Sequence, residues 1–139
     1  MRAGGMIDVL VVDDEPGVHA FVQMTLQRAN MHCRAAATGD SALKLASAWW
    51  PDVFLIDLAL PGRLDGWQLW DALAAQAHGR DLRVVVFGSD IRGEVEAEAR
   101  RRGACAILRK PVTPRGLMQG LVQALSGCDP HDCTREFRP

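Results

Sequence analysis

The sequence predicts a doubly wound α/β domain built on a five-stranded parallel sheet with five helices. Short apolar runs rich in Val and Ile alternate five times with segments of helical periodicity, which is the pattern of βα units. A chain of 139 residues that is 48% hydrophobic is long enough for one well-buried domain and too short for two. We therefore expect one domain over residues 6–126, between a flexible lead at 1–5 and a loosely ordered tail at 127–139.

The first two βα units precede Pro51. The apolar run 7–12 predicts the first strand, and Pro16 follows where the first turn of a helix tolerates proline. A weaker strand is predicted at 32–37, and residues 38–40 separate it from a short helix that ends before Pro51. One face of the first helix is apolar and is expected to pack on the sheet: Val18, Phe21, Val22, Leu26 and Ala29.

The middle of the chain predicts a third strand at 53–56 and a fourth at 83–87. A Pro-Gly loop at 61–62 separates the third strand from a helix that Asp65 is placed to cap. The predicted buried face of this helix comprises Leu69, Trp70, Leu73, Ala74 and Ala77.

The last two units contain a polar helix and an amphipathic one. Residues 91–102 carry alternating charges and end at Gly103, so we expect a largely solvent-facing helix. The fifth strand is predicted at 104–108, and Thr113 with Pro114 begins the last helix. The apolar stripe predicted for that helix comprises Leu117, Met118, Leu121, Val122 and Leu125.

Three aspartates and a lysine lie where predicted strands end. Asp13 and Asp14 follow the first strand, Asp57 follows the third, and Lys110 follows the fifth. In the flavodoxin-like variant of the doubly wound class, with strand order 2-1-3-4-5, the ligand crevice lies outside the carboxyl ends of strands one and three. Clustered carboxylates repel one another and are costly to hold without a cation, so the pattern indicates a site that binds Mg²⁺. An ionised carboxylate such as Asp57 is also a nucleophile toward phosphorus.

The chain resembles the receiver domains of response regulators in two-component signalling. The motifs that carry the resemblance occur in the family's order: residues 11–16 (Val-Val-Asp-Asp-Glu-Pro), Asp57 with Leu58 and Pro61, Asp65-Gly66, and Lys110-Pro111. The resemblance covers about residues 6–126. It implies that Asp57 accepts a phosphoryl group from a histidine kinase or a phosphotransfer protein, with Lys110 as the second catalytic residue. At most, the resemblance implies self-catalysed phosphoryl transfer to Asp57 and its dephosphorylation. We therefore do not expect an enzyme that turns over a substrate.

The resemblance also implies how the metal is held. Asp14, Asp57 and the backbone carbonyl of Ala59 would ligate Mg²⁺, and Asp13 is the further acidic residue expected to help hold it. A cis peptide bond between Lys110 and Pro111 is implied as well.

The chain departs from the family at two positions that normally respond to phosphorylation. Counting back from Lys110 places Gly88, followed by Ser89, where the family has a Thr or Ser that hydrogen-bonds the phosphoryl group. Ile107 lies where the family usually has a Tyr or Phe, and the chain contains no Tyr at all. We expect an altered switch in which either Ser89 or a loop motion at Gly88 replaces the hydroxyl contact.

Three functions are compatible with this fold to different degrees. The first is a phosphorylation-dependent switch, whose output is expected through protein contact at the face formed by residues 91–126 because no DNA-binding segment follows the last helix. The alternative is a pseudo-receiver, an interaction module that does not use phosphorylation, and Gly88 and Ile107 favour it. A phosphohydrolase would need a second acid two residues after Asp57, where the chain has Ala59.

Composition limits the partners. The net charge is −1, with 16 basic and 17 acidic residues, so no overall field draws the protein to nucleic acid or to an anionic membrane. No apolar stretch approaches the roughly 18 residues of a membrane span, and Cys33 and Cys105 lie in apolar segments that suit free thiols. We therefore expect a cytoplasmic protein that binds neither nucleic acid nor membrane. The family resemblance implies a sensor histidine kinase or a phosphotransfer protein and an unknown downstream protein as partners, and homodimerisation is left open.

Overall fold

The computed structural model describes residues 6–126, so the lead expected at 1–5 and the tail expected at 127–139 lie outside the described residues. Within the described part, five strands alternate with five helices, as the sequence predicts. The elements in chain order are β1 (Asp8–Val12), α1 (Pro16–Arg28), β2 (His32–Ala36), α2 (Gly39–Ala48), β3 (Val53–Asp57), α3 (Gly66–Gln76), β4 (Val84–Gly88), α4 (Gly93–Arg101), β5 (Ala106–Arg109) and α5 (Pro114–Leu125).

All strand pairs are parallel, and the sheet has the order β2-β1-β3-β4-β5. The predicted flavodoxin-like order is therefore confirmed. The three central strands β1, β3 and β4 are buried along their whole length, which explains their continuous apolar sequences. Val12 of β1 pairs with Ile56 of β3, so the residues that follow these two positions leave the sheet side by side at the same edge.

The helices cover both faces of the sheet. Along β1, Leu10 and Val12 point into one apolar cluster and Val9 and Val11 into the other, because successive side chains of a strand alternate between faces. Helices α2, α3 and α4 contribute to the first cluster, and α1 and α5 contribute to the second. The central strands therefore lie between two layers of buried apolar side chains, and only their ends reach the surface.

The predicted cap at Asp65 is confirmed, and Thr113 caps the last helix in the same way. The Asp65 carboxylate accepts from the Gln68 backbone N–H at 2.9 Å, and the Thr113 hydroxyl accepts from the Gly116 N–H at 2.9 Å. Helix α4 begins two residues later than predicted, at Gly93, whose φ of +58° breaks continuity with residues 91–92. No helix within residues 6–126 has the length and apolar character needed to cross a bilayer.

Three residues of the predicted apolar faces are exposed instead. Ala74 and Val122 each follow a buried residue by one position, and a step of one residue rotates a side chain by about 100° around the helix axis. Val122 is 51% exposed as a result. Ala29 is exposed because α1 ends at Arg28, before the turn that would have directed residue 29 toward the sheet.

The two described cysteines differ. Cys33 is a free thiol, and burial raises its pKa to about 12. Cys105 is disulfide-bonded, so the expectation of a free thiol is wrong for that residue. Pairing depends on the distance between two cysteines in the folded chain, which their spacing along the sequence does not give.

Gly66 permits α3 to begin directly against the end of β3. A Cβ atom at this position would lie 2.5 Å from the Leu58 Cα and 2.6 Å from the Asp57 carbonyl oxygen. The Gly66 N–H donates to the Leu58 carbonyl at 3.2 Å across the same contact. The atoms that a side chain would meet belong to the backbone of Asp57 and Leu58, so no flexible group could move aside. The close packing of Asp57 against α3 therefore depends on this glycine.

We predict that Gly66→Ala lowers the free energy of unfolding by about 1–3 kcal/mol, the usual cost of forcing extra volume into a packed site. Urea denaturation measures the change. Gly17→Ala is the matched control, because a Cβ at Gly17 on the exposed side of α1 has no atom within 4 Å. That variant should be neutral or slightly stabilising, and equal effects of the two substitutions would contradict the steric argument.

Candidate functional site

The adjacent ends of β1 and β3 bring three carboxylates together. Asp57 is the last residue of β3 and is 4% exposed, whereas Asp13 directly follows β1 and is fully buried. Asp14 is exposed at the surface of the same edge. One carboxylate oxygen from each of these residues lies within 4.8 Å of the other two. The donor set consists of oxygen atoms alone, which fits a hard divalent cation such as Mg²⁺.

Lys110 holds this cluster through its ammonium group. Its Nζ lies 2.8 Å from Asp13 Oδ2, 3.2 Å from Asp57 Oδ2 and 3.1 Å from Glu15 Oε1. Glu15 is a site residue that was not predicted, although it directly follows the acidic pair Asp13 and Asp14. The lysine therefore partly neutralises three carboxylates with its three donors.

The backbone around Lys110 fixes where its side chain starts. Its N–H donates to the carbonyl oxygen of Gly88 at 2.9 Å, which joins the ends of β4 and β5. The peptide bond to Pro111 is cis, as the family resemblance implies. The Lys110 Nζ also lies 5.1 Å from the ring centroid of Phe87.

The two carboxylates next to the lysine are also held by backbone donors. Asp57 Oδ1 accepts from the Ala59 N–H at 2.9 Å, while Oδ2 faces Lys110. Asp13 Oδ1 accepts from the Glu15 N–H at 2.8 Å in the same manner. Each carboxylate therefore has one oxygen on a backbone N–H and the other on the ammonium group, which fixes both side chains in one orientation.

Burial and charge act in opposite directions on the ionisation of the site. Burial raises the pKa of Asp57, and the Ala59 N–H and the Lys110 charge offset part of that rise. Burial alone would lower the pKa of Lys110, but the hydrogen bonds to Asp13 and Glu15 and the charges of the aspartates outweigh it, so the net shift is upward. Lys110 therefore stays cationic beside a desolvated carboxylate.

Gly88 lies directly beside Asp57 at the end of β4. A Cβ atom at this position would be 3.6 Å from Asp57 Oδ1 and 3.4 Å from Ile91 Cδ1, which are ordinary contact distances. Ser89 is exposed, and among the described residues no hydrogen bond joins it to Asp57. Ile107 is half-buried in β5 and packs against the apolar cluster that contains Ile91. The side chains at 88 and 107 therefore offer no hydroxyl group near Asp57.

A cavity of about 430 Å³ adjoins the cluster between α1 and α5. Most of its lining is apolar, and the lining also includes Glu15, Ser89 and Lys110. Lys110 thus contacts both the carboxylates and this cavity. The other lining residues are Gly17, Val18, Phe21, Val22, Leu55, Phe87, Leu108, Pro111, Val112 and Leu117.

Comparison with known proteins assigns the chain to a family. The profile of the family described as "Response regulator receiver domain" matches residues 9–122, which is most of the chain. NarL, the nitrate/nitrite response regulator protein of Escherichia coli K12, is 31% identical over 121 residues, which cover 86% of this chain and 55% of NarL. The chain therefore spans about half the length of that relative.

Two further proteins resemble the chain over their whole length. Protein PilH of Pseudomonas aeruginosa is 28% identical over 122 residues, which cover 88% of this chain and 100% of PilH. The structure of the chemotaxis response regulator CheY4 of Vibrio cholerae superimposes with a TM-score of 0.79 at 28% identity, covering 86% of this chain and 99% of CheY4. The chain belongs to the response regulator receiver domain family of two-component signalling.

Proposed function

We propose that this chain is a phosphorylation-dependent switch that accepts a phosphoryl group onto Asp57 from a histidine kinase or a phosphotransfer protein. Mg²⁺ would be held by Asp13, Asp14, Asp57 and the backbone carbonyl of Ala59. The observation that carries the proposal is the convergence of three carboxylates within 4.8 Å, with Lys110 bridging the two buried ones. Such a cluster is costly to maintain for packing alone, since buried like charges repel.

The transfer step follows from the state of Asp57. A carboxylate oxygen of Asp57 attacks the phosphorus atom, the phosphorus–nitrogen bond of the donor phosphohistidine breaks, and the nitrogen keeps the electron pair. Burial makes the carboxylate a poorly solvated nucleophile and raises its pKa, while the Ala59 N–H and Lys110 offset part of that rise and so favour the ionised form. The fixed orientation of the side chain supplies the positioning on which phosphoryl transfer mainly depends.

Lys110 would act after the phosphoryl group arrives. Its side chain is 17% exposed, and its three donors now contact only carboxylates. The donor that faces Asp57 would turn to a phosphoryl oxygen, while Asp13 and Glu15 keep the ammonium group in place. When bound, Mg²⁺ supplies the positive charge that offsets the clustered carboxylates and the phosphoryl oxygens.

The output would pass through protein contact at the face formed by α4, β5 and α5. This face carries exposed apolar side chains on both helices, with Val95 at 36% and Val122 at 51% exposure. Glu94 and Glu96 flank Val95 in α4, and single exposed apolar groups next to charges suit a contact that forms and dissociates. The donor protein would contact the edge of the sheet that carries Asp57, where the cavity between α1 and α5 adjoins Lys110.

We predict that acetyl phosphate with Mg²⁺ adds one phosphoryl group to the protein, and that Asp57→Asn abolishes the addition because it removes the nucleophilic oxygen. Intact-mass spectrometry measures both. Asp81→Asn is the control, since Asp81 is 74% exposed and pairs with Arg83 away from the site. If neither acetyl phosphate nor beryllofluoride modifies the unsubstituted protein, the proposal fails and the chain is an interaction module that does not use phosphate.

We predict that Mg²⁺ binds the protein and that Asp14→Asn weakens binding at least about 10-fold. Losing a residue that merely hydrogen-bonds a metal ligand already costs about 10-fold in affinity, and losing the ligand itself should cost no less. Calorimetric titration at several pH values measures the affinity. A proton on Asp57 competes with the metal, and burial raises the pKa of Asp57 above its ordinary value of 3.8. Affinity should therefore fall with decreasing pH from a point above 3.8. An affinity independent of pH down to that value would contradict the site.

We predict that Gly88→Ser strengthens beryllofluoride binding about 2- to 10-fold relative to Gly88→Ala, which is the value of one added hydrogen bond. Both side chains fit, because a Cβ at this position makes only ordinary contacts with Ile91 and Asp57. The alanine variant controls for the added volume and for the loss of glycine flexibility. Equal affinities of the two variants would show that a hydroxyl group at residue 88 makes no hydrogen bond to the bound beryllofluoride.

A further inference from the structure

We infer that Ile91 and Arg109 form a relay that couples the state of Asp57 to α4, and that this relay takes the place of the hydroxyl and aromatic groups missing at Gly88 and Ile107. The inference rests on the proposed function of Asp57 as phosphoacceptor. It adds the regulation of that site by naming the residues through which a change at Asp57 reaches the surface.

The first step of the relay is the contact between Ile91 and the space beside Asp57. Ile91 is 3% exposed. Its Cδ1 and Cγ1 atoms lie 3.4 Å and 3.5 Å from the point where a Cβ of residue 88 would be, and Asp57 Oδ1 lies 3.6 Å from the same point. The apolar end of Ile91 therefore borders the space next to the carboxylate oxygen that faces β4.

The second step is the hydrogen bonding of Arg109. Its Nε donates to the backbone carbonyl of Ile91 at 2.9 Å, and its Nη2 donates to Glu96 Oε1 at 2.6 Å. One guanidinium of β5 thus ties the loop that follows β4 to the first turns of α4. A shift of the Ile91 backbone must change the Arg109 hydrogen bond, and through Glu96 it changes the contact between β5 and α4.

The third step is the freedom of the loop that carries Ile91. Residues 89–92 lie between Gly88 and Gly93, and Gly93 has a φ of +58°, a conformation in which a Cβ is unfavourable. A Cβ at Gly93 would have no atom within 4 Å, so packing does not hold this residue. Gly93 therefore allows the loop and the first turn of α4 to move while β4 stays in place.

The opposite end of α4 is held in place. Arg102, just after the helix, donates to Asp71 of α3 at 2.7 Å and to Glu98 at 3.0 Å. Its guanidinium lies 4.9 Å from the Trp67 ring centroid, and Trp67 is stacked on Trp70. A change transmitted by Arg109 is therefore expected at the beginning of α4 rather than at its end.

A phosphoryl group on Asp57 supplies the force for the change. Its negatively charged oxygens need hydrogen-bond donors or water, and the end of Ile91 offers neither, so keeping the isoleucine there is unfavourable. Movement of Ile91 away from the site breaks the bond between its carbonyl and Arg109. By linkage, substitutions that remove this bond beforehand lower the cost of the movement and strengthen binding of a phosphoryl mimic.

The test compares Arg109→Met with Arg100→Met and uses beryllofluoride with Mg²⁺ as the probe. Two quantities are measured: the affinity for beryllofluoride, and the changes in backbone amide NMR shifts that its binding causes. Arg100 is a matched control because it binds the same residue, Glu96, at 2.9 Å but makes no bond to Ile91. We expect Arg109→Met to bind beryllofluoride about 5-fold more tightly, the lower end of usual coupling energies, while the shift changes at residues 94–98 fall to less than half. Arg100→Met should keep both properties of the unsubstituted protein.

Ile91→Val provides a second variant that keeps the core nearly filled. It should also strengthen beryllofluoride binding, because less apolar volume borders Asp57. Unchanged affinity together with unchanged shifts at residues 94–98 in Arg109→Met would overturn the relay. Absence of beryllofluoride binding by the unsubstituted protein would instead overturn the proposed function, and the relay with it.

Discussion

The contact between Lys110 and the buried carboxylates is the interaction on which the rest of the site depends. Parallel pairing of β1 and β3 forces Asp13 and Asp57 to emerge side by side, and their burial removes the water that would screen their repulsion. One ammonium group at 2.8 Å and 3.2 Å makes that arrangement tolerable. The position of Lys110 in turn needs the hydrogen bond from its backbone to Gly88, so the ends of β4 and β5 belong to the same unit as the carboxylates.

Two glycines, Gly66 and Gly88, border Asp57. Gly66 lets α3 start against the backbone of Asp57, where any side chain would collide. Gly88 leaves the opposite side of Asp57 open, and there the neighbouring space is bordered by Ile91 rather than by a polar group. The backbone of Asp57 is thus packed closely against the start of α3, while its carboxylate borders a space lined by the apolar side chain of Ile91. A phosphoryl group on Asp57 would be accommodated most easily on the side of Gly88 and Ile91.

The alternation of strands and helices was predictable because the three central strands are continuous apolar runs, and the cap at Asp65 is a local signal. The strand order came from the flavodoxin-like variant of the doubly wound class rather than from local chemistry. The convergence of Asp13, Asp57 and Lys110 followed from the rule for the carboxyl edge of a doubly wound sheet. The contacts of Glu15, Ile91 and Arg109 did not follow, because each depends on side-chain direction across separate elements. The pairing of Cys105 was likewise a matter of distance in three dimensions.

The clamp formed by Arg102, Asp71 and Trp67 gives α4 a fulcrum at its carboxyl end. A helix of 9 residues is roughly 13 Å long at 1.5 Å per residue. A tilt of about 10° around that end would carry its first turn roughly 2 Å sideways, by the same geometry. The helix would then pivot as a unit, and a displacement received at Glu96 would reach the neighbouring Val95 at nearly the same size, on a surface that a second protein can touch. A longer helix at this place would convert the same tilt into a larger displacement of its first turn.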